Sequence, residues 1–295
     1  MSASILFDIP GPRARAFSVV GNTVAALAVL AGLGWLVLVL NERGQFESSL
    51  WLNAVSAEAW QYYYLPGLQN TLRSALFATV GAVLFGILFG MGRLSANRAV
   101  RAVSGVVVEF FRAVPVLLMM IFFYSFFSAQ AQWIADRPFA AVVLALVLYN
   151  GSVIAELVRA GVGNLPKGQG EAGLAIGLTP GQVLRSIQLP QALVAMLPAM
   201  VSQLVVVLKD SALGQFILYS ELLRSAQILS ANEQNPLQAL IIVAVVFILI
   251  NWLLTVVAHR LARLLSSRTA APTIEGTGIG NPTAIATAAG GPNSI

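Results

Sequence analysis

Seven ionisable side chains stand inside or at the ends of long apolar stretches: Arg73, Glu109, Arg112, Glu156, Arg159, Lys209 and Asp210. At membrane depth such a group costs about 2.5–3.5 kcal/mol on insertion scales, so it turns inward, pairs, or serves a ligand. Glu109 and Arg112 are three residues apart, as are Glu156 and Arg159, and each pair can close on one helix face. Glu156 and Arg159 read as a structural pair near a membrane interface. Arg112 has two readings: its planar fork matches a ligand carboxylate, or it pairs with Glu109. Lys209 and Asp210, followed by Ser211, either pair with each other or hold the carboxylate and ammonium of a zwitterion. Asn70, Thr71 and Arg73 open an apolar run and line an entrance, or Asn70 simply caps a helix.

Other chemistry is excluded by what the chain lacks. It has no cysteine, so disulfides, thiol catalysis and Cys-ligated metal are out. The single His259 supports no His-based metal site. It lies among Arg260 and Arg263 at a helix end, where a cation complements the helix dipole. No nucleophile–base set is present, and no catalytic residue is expected. There is no Gly-x-x-x-x-Gly-Lys-Ser/Thr phosphate loop, so the chain does not itself bind ATP. The net charge of +5 is scattered between apolar runs, which argues against nucleic acid.

The elements that must position these groups follow from composition. The 295 residues are 58% apolar and 10% charged, against about 25% charged in an ordinary soluble domain. A lipid bilayer is therefore the natural solvent. Runs of about 20 mostly apolar residues, the length of a spanning helix, occur at Ala16–Leu40, Ser74–Gly92, Ala113–Ala135, Pro138–Ala155, Ser186–Leu208 and Gln234–Ala258. The expected fold is an all-α bundle of six transmembrane helices. The first run is too long for a cleaved signal peptide and reads as an anchor.

With the N-terminus inside, ten basic residues fall in inner loops (Arg13, Arg15, Arg93, Arg98, Arg101, Lys167, Arg185, Arg260, Arg263, Arg268) and three in outer ones (Arg43, Arg137, Arg224). This bias predicts that both termini are cytoplasmic. Trp51, Trp60 and Tyr62–Tyr64 are then expected at the outer interface, with Asn41–Pro66 lying along the membrane surface. Residues 1–15 form an inner N-terminus. Residues 266–295, rich in Gly, Pro, Ala and Thr, form a tail expected to be disordered. Gly86 and Gly90 read as a helix-packing face.

One polar interruption has a pattern. Residues Gly163 to Pro190 lie on the cytoplasmic side by the same charge count. Ala172, Leu174, Ala175 and Leu178 recur at helical spacing, predicting a short helix over Gln169–Leu178, followed by a Thr179-Pro180-Gly181 break. Leu189-Pro190 reopens the chain into a span. On physics alone this is either a structured inner loop with no partner or, because a short helix with an apolar face is held between lipid and water, a docking element.

Glu171-Ala172-Gly173, Gly177, Leu178, Ile187 and Leu189-Pro190 resemble the Glu-Ala-Ala loop of ABC importer permeases. Phe111-Arg112-Ala113-Val114-Pro115, Ile154–Arg159, Leu165–Gln169, Leu189–Leu193 and Leu208–Leu213 resemble the polar amino acid branch of that family. The opening Phe7–Arg15 is similar to actinobacterial glutamate permeases. Gly173 replaces the motif's second alanine, a change that loosens a helix by about 1 kcal/mol. Ala113-Val114 replaces Gly-Thr.

The resemblance implies a five-helix permease core over residues 67–265, with residues 16–66 an added helix and outer segment. It implies a multi-pass bacterial plasma-membrane protein, the permease subunit of an ATP-driven importer of glutamate or a related polar amino acid. It implies ABC ATPase subunits as partners, with ATP bound there and no cofactor in this chain. A second permease subunit, identical or not, and an extracytoplasmic binding protein complete the assembly. Glu171, Ala172, Gly173, Gly177, Leu178, Leu189 and Pro190 become the ATPase-coupling residues, with Glu171 orienting the helix and Gly177 permitting close approach. The path residues remain Asn70, Thr71, Arg112, Lys209, Asp210 and Ser211. The rival reading, a secondary transporter, would require two related halves with broken helices, and no repeat is visible.

Overall fold

A computed structural model describes residues 11–267. The tail over 268–295, the first ten residues, and the side chains of His259 and Arg263 lie outside the described residues. Every element of secondary structure among the described residues is helical. In chain order these are α1 (Pro12–Glu42), α2 (Ser48–Ala54), α3 (Ala57–Ala59), α4 (Leu65–Arg93), α5 (Arg98–Ala113), α6 (Val116–Gln130), α7 (Arg137–Gly163), α8 (Lys167–Ala175), α9 (Pro180–Val183), α10 (Leu189–Asp210), α11 (Leu222–Glu233) and α12 (Pro236–Ser267).

Among the described residues, five stretches are long and apolar enough to cross a bilayer: 15–42, 48–93, 137–163, 180–217 and 236–257. A sixth exists only if α5 and α6 count together, and they meet at a bend of 98°. The expected third span, Ala113–Ala135, is taken only in part by a single helix. Its helix, α6, has 15 residues, about 22 Å at 1.5 Å per residue, short of the roughly 30 Å hydrocarbon core. Pro115 sets the bend: the preceding Val114 is extended at φ −83°, ψ 126°, as a residue before proline prefers. The residues before it, read as an inner loop, form the amphipathic helix α5, N-capped by Asn97 through the amides of Ala99 and Val100.

The chain divides into two compact units. One comprises residues up to 72 with 218–248. Its core joins Tyr64 to Leu222, Ala226, Leu229, Ala239 and Val243. The stretch over Asn41–Pro66, expected along the membrane surface, contains α2 and α3, broken at Val55–Ser56, and a π turn at Trp60–Tyr64 that leads into α4. Tyr64 is correspondingly buried in the core rather than placed at an interface, whereas Tyr62 is exposed. Side-chain amides pin the segment. Gln238 Nε2 donates to the Gln45 carbonyl at 2.7 Å, and Asn235 Nδ2 to that of Leu50 at 3.3 Å. No described residue of α1 is buried, and this helix is apolar on every side, as a lipid-surrounded helix is.

The second unit comprises residues 73–217 with those from 249 onward. Its centre is α7, capped at its start by Asp136, which accepts from the Phe139 amide at 3.1 Å. Ile154 and Val158 of α7 pack with Ala82 of α4 and against Leu189, Leu193 and Met200 of α10. Gly86 and Gly90 sit against Ile154 and Val158 as the packing-face expectation had it. A Cβ on Gly90 would stand 2.9 Å from Val158, and one on Gly86 would run into Ile154. Small residues here let the α4 and α7 backbones approach.

Candidate functional site

Residues 163–190 fold as a helix–turn–helix at the C-terminal end of α7. The short helix α8 begins at Lys167 and ends at Ala175, two residues earlier and three residues shorter at its end than the expected Gln169–Leu178. Gly177 ends it. At φ +87° this residue is in the left-handed region that glycine adopts without strain. The amide of Gly177 then reaches the Leu174 carbonyl at 3.0 Å and that of Leu178 the Gly173 carbonyl at 3.2 Å. This is the paired closure of a Schellman cap. A Cβ on Gly177 would meet nothing within 4 Å inside the chain, so its intrachain role is the cap and not close packing.

The expected break at Thr179-Pro180-Gly181 is in fact a helix start. Thr179 and Gln182 form a capping box, and Pro180 occupies the first turn. The chain runs on through a π turn, Leu184–Gln188, into α10 at Leu189. Pro190 has no N–H, so the Ser186 carbonyl loses its usual i+4 donor, and the wider turn falls on the residues leading up to it. Leu189 is drawn into the α7 core cluster, while Pro190 stays exposed.

The faces of α8 are sharply divided. Gly173 is buried, and a Cβ there would stand 2.8 Å from both Ile187 Cδ1 and Val183 Cγ2. Glu171, Ala172, Leu174 and Ala175 point outward, with Leu174 51% and Ile176 77% exposed. Gln191 bridges the helix to α10, donating to Gln169 Oε1 at 3.3 Å and to the Ile187 carbonyl at 2.9 Å. Glu171 makes no ion pair with another described residue.

A charged network stands at the same end of the unit. The Nη1 atom of Arg93, at the end of α4, lies 3.0 Å from Glu109 Oε1 and 3.0 Å from Glu156 Oε2. Glu156 also accepts from Arg159 Nε at 3.1 Å, the expected structural pair. Arg112 meets Glu109 more loosely, at 3.4 Å. One guanidinium, its side chain 15% exposed, thus joins α4, α5 and α7. Sequence reasoning had counted Arg93 only as a loop charge, because its two partners lie 16 and 63 positions away.

The path candidates have the following local partners. Asn70 is no cap: it sits within α4, donates from Nδ2 to the Ser220 carbonyl at 2.8 Å, and its own carbonyl accepts from Tyr219. Thr71 is fully buried, donating to the Gly67 carbonyl and accepting from the Leu222 amide at 3.0 Å. Ser211 is also buried, bonded back to the Leu208 carbonyl at 2.7 Å. Lys209 and Asp210 form no ion pair with each other or with another described residue. Arg73 pairs with Asp136 at 3.8 Å and lies over the Phe139 ring at 4.2 Å.

Two polar features escaped the sequence reading. Asn150 and Gln203 face each other at mid-helix between α7 and α10, with Gln203 Nε2 donating to Asn150 Oδ1 at 2.6 Å. A side-chain amide amid apolar residues was the available signal. Glu221 is fully buried and caps α11, accepting from the amides of Leu223 and Arg224. Burial outweighs those two bonds and pushes its carboxyl up to about 7.

Three comparisons bear on this arrangement. The profile of the binding-protein-dependent transport system inner membrane component matches residues 82–271. The glutamate transport system permease protein GluD of Corynebacterium glutamicum is 45% identical over 77% of this chain and 84% of its own length. The glutamine transport system permease protein GlnP of Escherichia coli is 31% identical over 68% of this chain and 91% of its own. Among solved structures, an amino acid ABC transporter crystallised with histidines matches at TM-score 0.60 and 27% identity, over 70% of this chain and 93% of that one. The MetNI methionine ABC transporter shares the fold at TM-score 0.59 and 22% identity, over 71% and 99%.

Proposed function

This chain belongs to the binding-protein-dependent transport system inner membrane components and is a multi-pass permease subunit of an ABC amino acid importer in the plasma membrane; from that premise we propose how it is coupled and what it carries. The cargo is glutamate or a closely related polar amino acid, the cargo named for the 45% identical relative. ATP is bound and hydrolysed on separate ATPase subunits, and an extracytoplasmic binding protein delivers the substrate. A second permease subunit, identical or not, completes the path. Both termini and α8 face the cytoplasm.

One observation carries the coupling reading. The helix α8 buries only Gly173 against the chain and leaves Glu171, Ala172, Leu174 and Ala175 uncovered. An exposed apolar face on a helix tied rigidly to α10 suits a groove on a partner. Motion of that partner would be passed through Gln191 and the Gly173 contact into the spans, as a rigid-body shift between two states. Glu171, with no ion-pair partner among the described residues, is free to meet a cation on the ATPase. Arg112, Lys209 and Asp210 remain the residues placed on the path, since none is locked by a close, buried bond.

The test combines Glu171→Ala with Gly177→Leu. Loss of ATPase co-purification and of uptake is expected; survival of both would end the coupling assignment. Uptake into vesicles should require ATP and added binding protein and should ignore collapse of the proton gradient. Competition by a panel of labelled amino acids identifies the cargo, and uptake of only sugars or metals would overturn the substrate class.

A further inference from the structure

Beside the coupling helix lies a cleft of about 990 Å³ that the transport reading does not use. Its walls come from the end of α4, the turn into α5, and the stretch from Thr179 to Arg185. Two arginines line it, Arg101 and Arg185, and no acidic residue does. Neither arginine pairs with a carboxylate among the described residues. Arg101 is held in place instead, donating from Nη1 to the Ser95 carbonyl at 2.7 Å. That leaves the rest of each planar fork open to an anion, and the fork matches phosphate oxygens in pairs.

Much of the remaining lining is apolar. Leu88, Phe89 and Met91 line the cleft along α4, and Val100 and Leu184 close it. Leu88 is 67% and Val100 45% exposed, and both continue into the outward apolar surface formed by Leu84, Val103 and Val106. From Arg93 at the helix end down to Leu88 is about 7 Å of helix rise, which reaches below the charged rim into the apolar run of the span. A soluble protein partner does not penetrate to that depth, whereas an acyl chain does.

We propose that this cleft binds an anionic phospholipid of the inner leaflet, its phosphate between Arg101 and Arg185 and one acyl chain along Leu88, Phe89 and Val100. The assignment of the leaflet rests on the inward orientation proposed above. The site borders Thr179–Gln182, so the lipid abuts the turn that links the coupling helix to α10. The state of the membrane would thereby bear on coupling.

The experiment uses the full chain with its ATPase subunits in micelles of mixed phosphatidylglycerol and phosphatidylcholine, with retained lipid counted by native mass spectrometry. Preferential retention of phosphatidylglycerol is expected. Arg101→Gln with Arg185→Gln should reduce that preference roughly thirtyfold, the attraction of two basic residues at an anionic surface. Arg101→Lys with Arg185→Lys should keep most of it. Equal loss in both variants, or no loss in the first, overturns the proposal. Displacement by glycerol 3-phosphate as complete as by the diacyl lipid would mark a small-anion site and overturn it too. So would a preference seen only without the ATPase subunits, since the cleft would then be a protein interface. Because the chain has no cysteine, Ala99→Cys, at an exposed position outside the cleft lining, reports orientation alone. Labelling by an impermeant maleimide only in inverted vesicles is expected. Labelling from outside, with lipid preference intact, would overturn the orientation and the leaflet without touching the site.

Discussion

Replacing Gly173 by alanine sets two opposing effects against each other, and the structure decides between them. In an open helix the change stabilises by about 1 kcal/mol, because alanine loses less backbone entropy. Here the new Cβ would stand 2.8 Å from Ile187 Cδ1 and 2.8 Å from Val183 Cγ2, whereas carbon pairs are comfortable at about 3.5–4.0 Å. Ile187 can rotate its terminal methyl away. Val183 is 4% exposed and, being β-branched in a helix, has no second rotamer available. Overpacking of this kind costs about 1–3 kcal/mol, so the net expectation is a loss of about 1 kcal/mol. Val183→Ala should make room. Alone it costs about 1–2 kcal/mol for two buried methyls. Combined with Gly173→Ala it should lose less than the sum, with a favourable coupling of about 1–2 kcal/mol. The assay is unfolding of the full chain in micelles, followed by tryptophan fluorescence, as a four-member mutant cycle. Stabilisation by Gly173→Ala alone, or strict additivity, would refute the claim that glycine is required by the turn after α9.

Gly177→Ala should weaken α8 by about 1–2 kcal/mol, the cost of a Cβ at φ +87°, and should reduce ATPase co-purification in pull-downs while leaving membrane insertion unchanged. Arg93→Gln leaves Glu109 and Glu156 without their shared cation. Because those side chains are 58% and 25% exposed, the loss is discounted from that of a fully buried pair to about 1–2 kcal/mol, and it should exceed that of Arg112→Gln in the same melt. Glu221, whose carboxyl is raised from 4.5 to about 7, binds its proton more tightly folded than unfolded. Its stabilisation is therefore present below pH 4.5 and declines as pH rises to about 7, by about 3 kcal/mol over the window. Glu221→Gln should flatten that slope in unfolding measured across the same range.

The spans and the coupling segment were legible in the sequence because the bilayer imposes a local rule. A run of apolar residues long enough to cross must be helical wherever it lies, since its amides have no other partner. Residues 163–190 stood out for the same reason, as a patterned interruption of that rule. Even there the ends of α8 were misplaced. The positive φ of Gly177 that stops the helix, and the capping box at Thr179, are decisions of geometry that periodicity does not register.

The sequence by itself thus determined the solvent, the helical class, the approximate span positions and which polar loop carries a helical pattern, all set by residues close together in the chain. Tertiary structure alone decided what depends on distant neighbours. It joined Arg93 to glutamates on two other helices, set Gln203 of α10 against Asn150 of α7, and bonded the buried Thr71 to the Leu222 amide. It also turned Gly173 from a weakened helix position into a close contact. Each of these depends on which side chains face one another across separate helices, a relation that no spacing along the chain encodes.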